Sequence, residues 1–151
     1  MKQNRLLEIT IDDLYAEDAI LVEEARNACS MAYAPYSNFH VGAALLLENG
    51  EIIKGANIEN ASYPVGICAE RSTIATAHNL YPGTPIISIA LAAKTPQGEF
   101  TEGPVTPCGM CRQVIAECEQ RFQRNIRILM TSKDKVTIAD SINSLLPYAF
   151  A

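Results

Sequence analysis

Apolar residues recur every three or four positions in some stretches of the chain and cluster or alternate in others, and these two spacings separate helix from strand. Val22, Ala25, Cys29, Ala32 and Tyr33 step at helical spacing behind Asp18, which predicts a first helix capped there and closed near Ala34-Pro35. From residue 39 the pattern turns to β. Residues 39–47 and 52–58 flank Glu48-Asn49-Gly50-Glu51 and predict an antiparallel hairpin, with Asn-Gly as the turn. A polar loop at 59–66 delivers the chain to Cys68, and residues 69–80 predict a second helix that stops before Tyr81-Pro82-Gly83. The nearly all-apolar run at 86–93 suits a strand buried on both faces. A helix at about 108–122, strands at 126–130 and 136–138, and a short helix near 140–146 complete the series. The order β-β-α-β-α-β predicts an α/β fold, a three-layer α-β-α sandwich with a mixed five-stranded sheet. One domain spans residues 1–151, with residues 1–16 as an N-terminal arm.

Composition supports a folded core: 48% of the 151 residues are apolar and 19% charged. The net charge of −5 and the scattered basic residues provide no footprint for duplex nucleic acid, so a small or weakly charged ligand is expected. The longest apolar run, residues 41–47, is far short of the ~20 residues that cross a bilayer, so no membrane span is expected. The first residues lack the apolar core of a secretory signal, which points to the cytoplasm. There, five cysteines, an odd number, are expected as reduced thiols and not as a disulfide framework.

Cys108-Gly109-Met110-Cys111 sets two thiols at i and i+3, about 300° apart on an ideal helix, so both face one side of its first turn. Cys68 opens another predicted helix, and in a β-α-β-α layout two such helix starts can lie side by side at one sheet edge. Helix N-termini favour thiolates, the metal-binding form of cysteine. Three sulfur ligands select zinc and leave a fourth position for water, as catalytic sites do. Glu70 is placed to carry protons at such a site, provided Cys68 sits at the helix start with the ion ahead of its end. A lone Cys-x-x-Cys is also the pattern of a redox dithiol, against which Cys68-Ala69-Glu70 weighs heavily. A structural zinc knot needs a fourth ligand, and Cys29, Cys118, His40 and His78 fit poorly. Cys118 lies about 10 Å along the helix from Cys111 and reads as core, as does Cys29.

Cys68-Ala69-Glu70-Arg71 followed by Pro107-Cys108-Gly109-Met110-Cys111-Arg112-Gln113 resembles the zinc-dependent cytidine deaminases. The likeness extends through Ala34-Pro35-Tyr36-Ser37-Asn38-Phe39, Val41-Gly42-Ala43-Ala44-Leu45-Leu46 and Asn57-Ile58-Glu59-Asn60-Ala61. Cysteine at 68, where many polynucleotide and nucleotide deaminases have histidine, is similar to the small homotetrameric free-nucleoside branch. The resemblance implies hydrolytic deamination of cytidine and deoxycytidine at C4 with Zn²⁺ as cofactor and Glu70 as proton carrier. It also implies that Phe39 packs on the pyrimidine, that Asn57 and Glu59 bind the ribose hydroxyls, and that the Ala69 backbone meets the base edge. Phe150 matches the aromatic that closes the pocket across subunits, although the neighbouring Tyr148 is bulkier than the family's usual small residue. Three thiolates leave zinc with a net negative charge, so Arg71 and Gln113 are candidates to support the ligands from behind. Two alternatives stand beside this one: a deaminase of a nucleoside-like antibiotic or modified pyrimidine on the same scaffold, and a non-catalytic zinc-stabilised binding module.

Overall fold

The computed structural model describes residues 6–151. Its strands are β1 (Leu6–Thr10), β2 (His40–Leu47), β3 (Ile52–Ala56), β4 (Ile86–Lys94), β5 (Arg127–Thr131) and β6 (Lys135–Ala139). Its helices are α1 (Ala16–Ala28), α2 (Ala69–Leu80) and α3 (Gly109–Phe122). The strands form one mixed sheet in the order β1-β6-β5-β4-β2-β3. The β4–β5 pair is parallel, and the other four pairings are antiparallel.

Alternation along the strands decides which helix covers which face. Ala43, Leu45, Ile89, Leu91, Ile128 and Met130 point to one side, where they pack with Ala69, Ile74 and Ala77 of α2 and Ile115 of α3. Ala44, Ala90, Ala92 and Leu129 point to the other side, under Leu21, Val22 and Ala25 of α1. The small residues bring α1 close. At Gly42 of β2 an added Cβ would lie 2.2 Å from the Ala25 carbonyl oxygen and 2.6 Å from the Cys29 nitrogen, so only glycine fits under the end of α1. The result is the expected three-layer α-β-α sandwich.

The sheet has six strands where the sequence predicts five. The sixth is β1, from the segment expected to be an arm: Leu6↔Ala139 to Thr10↔Lys135 pair in register along β6. Leu6-Leu7-Glu8-Ile9-Thr10 carries little sign of this because an edge strand outside α1 stays largely exposed, with only Ile9 partly buried. Residues 1–5 of the expected arm lie outside the described residues.

Other boundaries shift by a few residues. Asp18 does not cap α1, whose N-cap is Tyr15; it sits inside the first turn and binds Arg127 at the start of β5. The helix gives way to a 3-10 turn, Cys29–Met31, before the predicted end. The short helix expected at 140–146 is a single 3-10 turn, Ile142–Ser144. Cys29 is fully buried, as expected, and Cys118 packs partly buried against the α2/α3 side of the core. Among the described residues no helix is long and apolar enough to cross a membrane.

Because β2 runs antiparallel to both β3 and β4, β3, β4 and β5 share one direction. The β3-α2-β4 and β4-α3-β5 connections are therefore successive crossovers with both helices on one face, and the starts of α2 and α3 lie at the carboxyl ends of β3 and β4. That is where open α/β sheets bind ligands.

Candidate active site

Cys68 is the N-cap of α2, held extended (φ −72°, ψ 155°) by the Ile58–Ile67 bridge that immediately precedes it. Cys108 is the N-cap of α3 in the same conformation (φ −67°, ψ 171°), following the buried Pro107. Neither cysteine caps its helix through a side-chain hydrogen bond. The sulfurs instead turn toward each other, with Cys68 Sγ 3.7 Å from Cys108 Sγ and Cys108 Sγ 3.5 Å from Cys111 Sγ. All three lie within 4.8 Å of one another, the one such group among the described residues.

The cluster behaves as a single acid-base unit. Contact with Cys111 and the Arg71 guanidinium lower the Cys68 thiol to about 5, so it is a thiolate at neutral pH. Cys111 is pushed upward, first by its hydrogen bond with Cys68 and then by burial. Arg71 reaches back with Nη2 3.9 Å from Cys68 Sγ. Three soft donors at two helix starts form a set that fits Zn²⁺, with three protein ligands and one remaining position.

Glu70 follows Cys68 by two residues and is only 4% exposed. Burial is the largest influence on its carboxyl and raises it above the ordinary carboxylate range. Cys68 does sit at the helix start. Cys68, as N-cap, lies ahead of the helix, and Cys68, Ala69, Glu70 and Cys108 line one cleft of about 440 Å³.

The opposite wall contains Phe39, Asn57 and Glu59. Asn57 clips the strand entry: Nδ2 donates to the Phe39 carbonyl (2.9 Å), and Oδ1 accepts from the Val41 amide (2.9 Å). Glu59 Oε1 accepts from the Tyr36 and Ser37 amides (3.0 and 3.1 Å), and its Oε2 accepts from the Ser37 hydroxyl. Those donors hold the Glu59 carboxyl below its usual range, the Ser37 hydroxyl most of all. An amide and a carboxylate each have more sites than these contacts use, so both retain capacity for a ligand.

Two predicted residues lie elsewhere in the single chain. Phe150 is 85% exposed and is absent from the cleft lining, and its carbonyl accepts from Gln113 Nε2 (2.8 Å). Gln113 therefore ties α3 to the C-terminal tail and is not placed against a sulfur. Arg112 does similar work, donating to the Pro107 and Leu145 carbonyls. Ser37 and Tyr36 stand in the matching motif without an assigned role, and Tyr63 lies outside it; the two tyrosine rings meet edge to face at 6.4 Å, with Tyr63 lining the cleft. A Ser two residues before an aromatic is too common to signal a site by itself.

Residues 16–124 match the family model described as the cytidine and deoxycytidylate deaminase zinc-binding region, and the chain belongs to this family of zinc-dependent hydrolytic deaminases. It is 42% identical over 132 residues to the cytidine deaminase of Halalkalibacterium halodurans, covering 87% of this chain and 92% of that protein. The cytidine deaminase of Sporosarcina psychrophila is likewise 42% identical over 133 residues, covering 87% of this chain and 89% of its own. The crystal structure of cytidine deaminase from Burkholderia pseudomallei superposes with a TM-score of 0.74 at 38% identity, over 91% of this chain and all of that one.

Proposed function

We propose that this chain, as one domain, catalyses the hydrolytic deamination of cytidine and deoxycytidine to uridine and deoxyuridine with release of ammonia, a reaction of pyrimidine salvage in the cytoplasm. The observation that carries the reading is the meeting of three thiol sulfurs within 4.8 Å beside a buried glutamate in one cleft. Cys68, Cys108 and Cys111 hold Zn²⁺, which when bound makes water a nucleophile at neutral pH. Glu70 moves the protons. Its buried carboxylate takes one proton from the attacking water and delivers it to N3 of the pyrimidine, then takes the second from the hydroxyl newly bound to C4 and passes it to the departing amine as the C4 carbonyl forms. Burial matches this shuttle, because it brings the carboxyl closer to the working pH and lets it hold a proton between steps.

The remaining residues orient the nucleoside. The Phe39 ring packs on the base, the Ala69 backbone meets its polar edge, and Asn57 with Glu59 binds the ribose hydroxyls by paired donation and acceptance. Arg71 offsets the negative charge of the thiolates. The functional unit is a homotetramer in which Phe150 of one subunit closes a neighbour's pocket. Its exposure in the single chain, together with exposed Tyr63 and Met110 at the cleft, supports this arrangement.

The test is zinc content together with ammonia release. The purified protein should carry about one zinc per chain and convert cytidine to uridine, followed by ultraviolet absorbance. Bound zinc with no ammonia from any cytosine nucleoside would instead favour a structural module. Turnover of a cytosine-bearing antibiotic in preference to cytidine would move the substrate assignment without moving the chemistry. Size measurement by light scattering checks the tetramer.

A further inference from the structure

The segment between α1 and β2 contains a hydrogen-bond relay that the substrate reading does not use. Asn38 adopts a left-handed conformation (φ 55°), which Asn tolerates better than most side chains. Its amide is tied back to the Ala34 carbonyl at 2.9 Å. The reversal brings the Phe39 amide onto the Ser37 hydroxyl (3.0 Å), and the same hydroxyl donates to Glu59 Oε2. Ser37 Oγ thus accepts from the residue that carries the base-facing ring and donates to the carboxylate beside it on the same cleft wall. A hydroxyl is one of the few side-chain groups able to do both at one atom.

We propose that Ser37 is a positioning residue for nucleoside recognition, whose hydroxyl fixes the Glu59 carboxylate at the cleft wall in register with the backbone that presents Phe39. The inference rests on the proposed binding of ribose by Glu59. Two amide donors already anchor Glu59 Oε1, whereas Oε2 accepts from the Ser37 hydroxyl. The carboxylate can pivot about Oε1, and the serine removes that freedom before the sugar arrives. Preorganisation of this kind improves binding of substrates that contact the carboxylate and leaves the chemical step alone.

Initial rates on the zinc-loaded full chain test this, with cytidine compared against 2′,3′-dideoxycytidine, which lacks the 2′- and 3′-hydroxyls. Ser37→Ala should raise KM for cytidine about tenfold, the loss typical of one hydrogen bond to a charged group, with kcat within about twofold. Its kcat/KM for the dideoxy substrate should stay within about twofold of the unsubstituted enzyme, and Ser37→Thr, which keeps the hydroxyl, should regain most of the cytidine affinity. If Ser37→Ala does not fold, Ser37→Cys, similar in size but a weak donor, replaces it with the same expectation. Equal losses on both substrates overturn the proposal, since they would mark a loop that merely supports Phe39. An unchanged cytidine KM in Ser37→Ala, beside a raised one in Glu59→Gln, overturns it as well. If Glu59→Gln also leaves KM unchanged, the ribose role of Glu59 falls and takes this inference with it, while the deaminase reading stands. Absence of turnover in the unsubstituted enzyme overturns that reading and the inference together.

Discussion

Asp18 grips Arg127 through both carboxylate oxygens, at 2.7 and 2.8 Å, joining the first turn of α1 to the start of β5. The carboxylate is buried, whereas the Arg127 side chain is 38% exposed, so solvent screens part of the attraction. Asp18→Ala is expected to cost about 1–3 kcal/mol, below the loss typical of a fully buried pair. Chemical denaturation measures it, and a change under about 0.5 kcal/mol would place the pair among ordinary surface contacts.

Gly42→Ala should be more damaging than its single methyl suggests. The new Cβ meets backbone atoms of α1 at 2.2 and 2.6 Å, and backbone cannot swing aside as a side-chain tip can. A destabilisation of at least about 3 kcal/mol follows, at or beyond the usual upper end for overpacked cores. A midpoint equal to that of the parent would show that α1 slides freely over the sheet.

Glu70→Gln keeps the size of the side chain and removes its proton chemistry. Zinc stoichiometry should remain near one per chain while kcat falls by at least ~10²-fold, within the range ascribed to general acid-base catalysis. Loss of metal along with activity would instead assign Glu70 to ion binding.

The cysteines should differ sharply toward iodoacetamide once zinc is removed by a chelator. Cys68, held near 5 by the neighbouring Cys111 thiol and by Arg71, is a thiolate at pH 7 and should label first. Cys29 is pushed up by burial, stays protonated, and should remain unlabelled in the native protein. Zinc should protect Cys68. Peptide mass spectrometry reads the order, and early labelling of Cys29 would contradict it.

Removing residues 1–10 deletes β1 and bares the edge of β6. The backbone bonds of one exposed strand roughly offset the entropy of ordering it, so the melting temperature should fall only by a few degrees. The open edge is the larger effect, expected as concentration-dependent aggregation in light scattering. Activity should persist in the soluble fraction, because the cleft lies by β3 and β4 at the far side of the sheet.

The site's skeleton was legible because its demands are local. Cysteines at helix starts, with Glu70 two residues on, are a matter of spacing along the chain, and α2 runs over the predicted residues 69–80. What sequence could not supply depended on long-range pairing. Leu6 to Thr10 becomes a strand only because β6 offers an edge, and Asp18 looks like a helix cap until Arg127, 109 residues away, claims it. The role of Ser37, a residue of the matching motif, was hidden for the same reason, since its meaning comes from Glu59, 22 residues along the chain.

The starts of α2 and α3 have a last implication. Ser, Thr, Asp or Asn in these positions contributes about 1 kcal/mol by covering free amide groups, and cysteine at 68 and 108 forgoes that cover. A zinc ion held by these two cysteines would fasten secondary structure as well as serve as a reagent. Stripped of it, the two first turns are where amide hydrogen exchange should quicken before anything else in the sandwich loosens, so starvation for zinc would unpick the protein from its own catalytic centre outward.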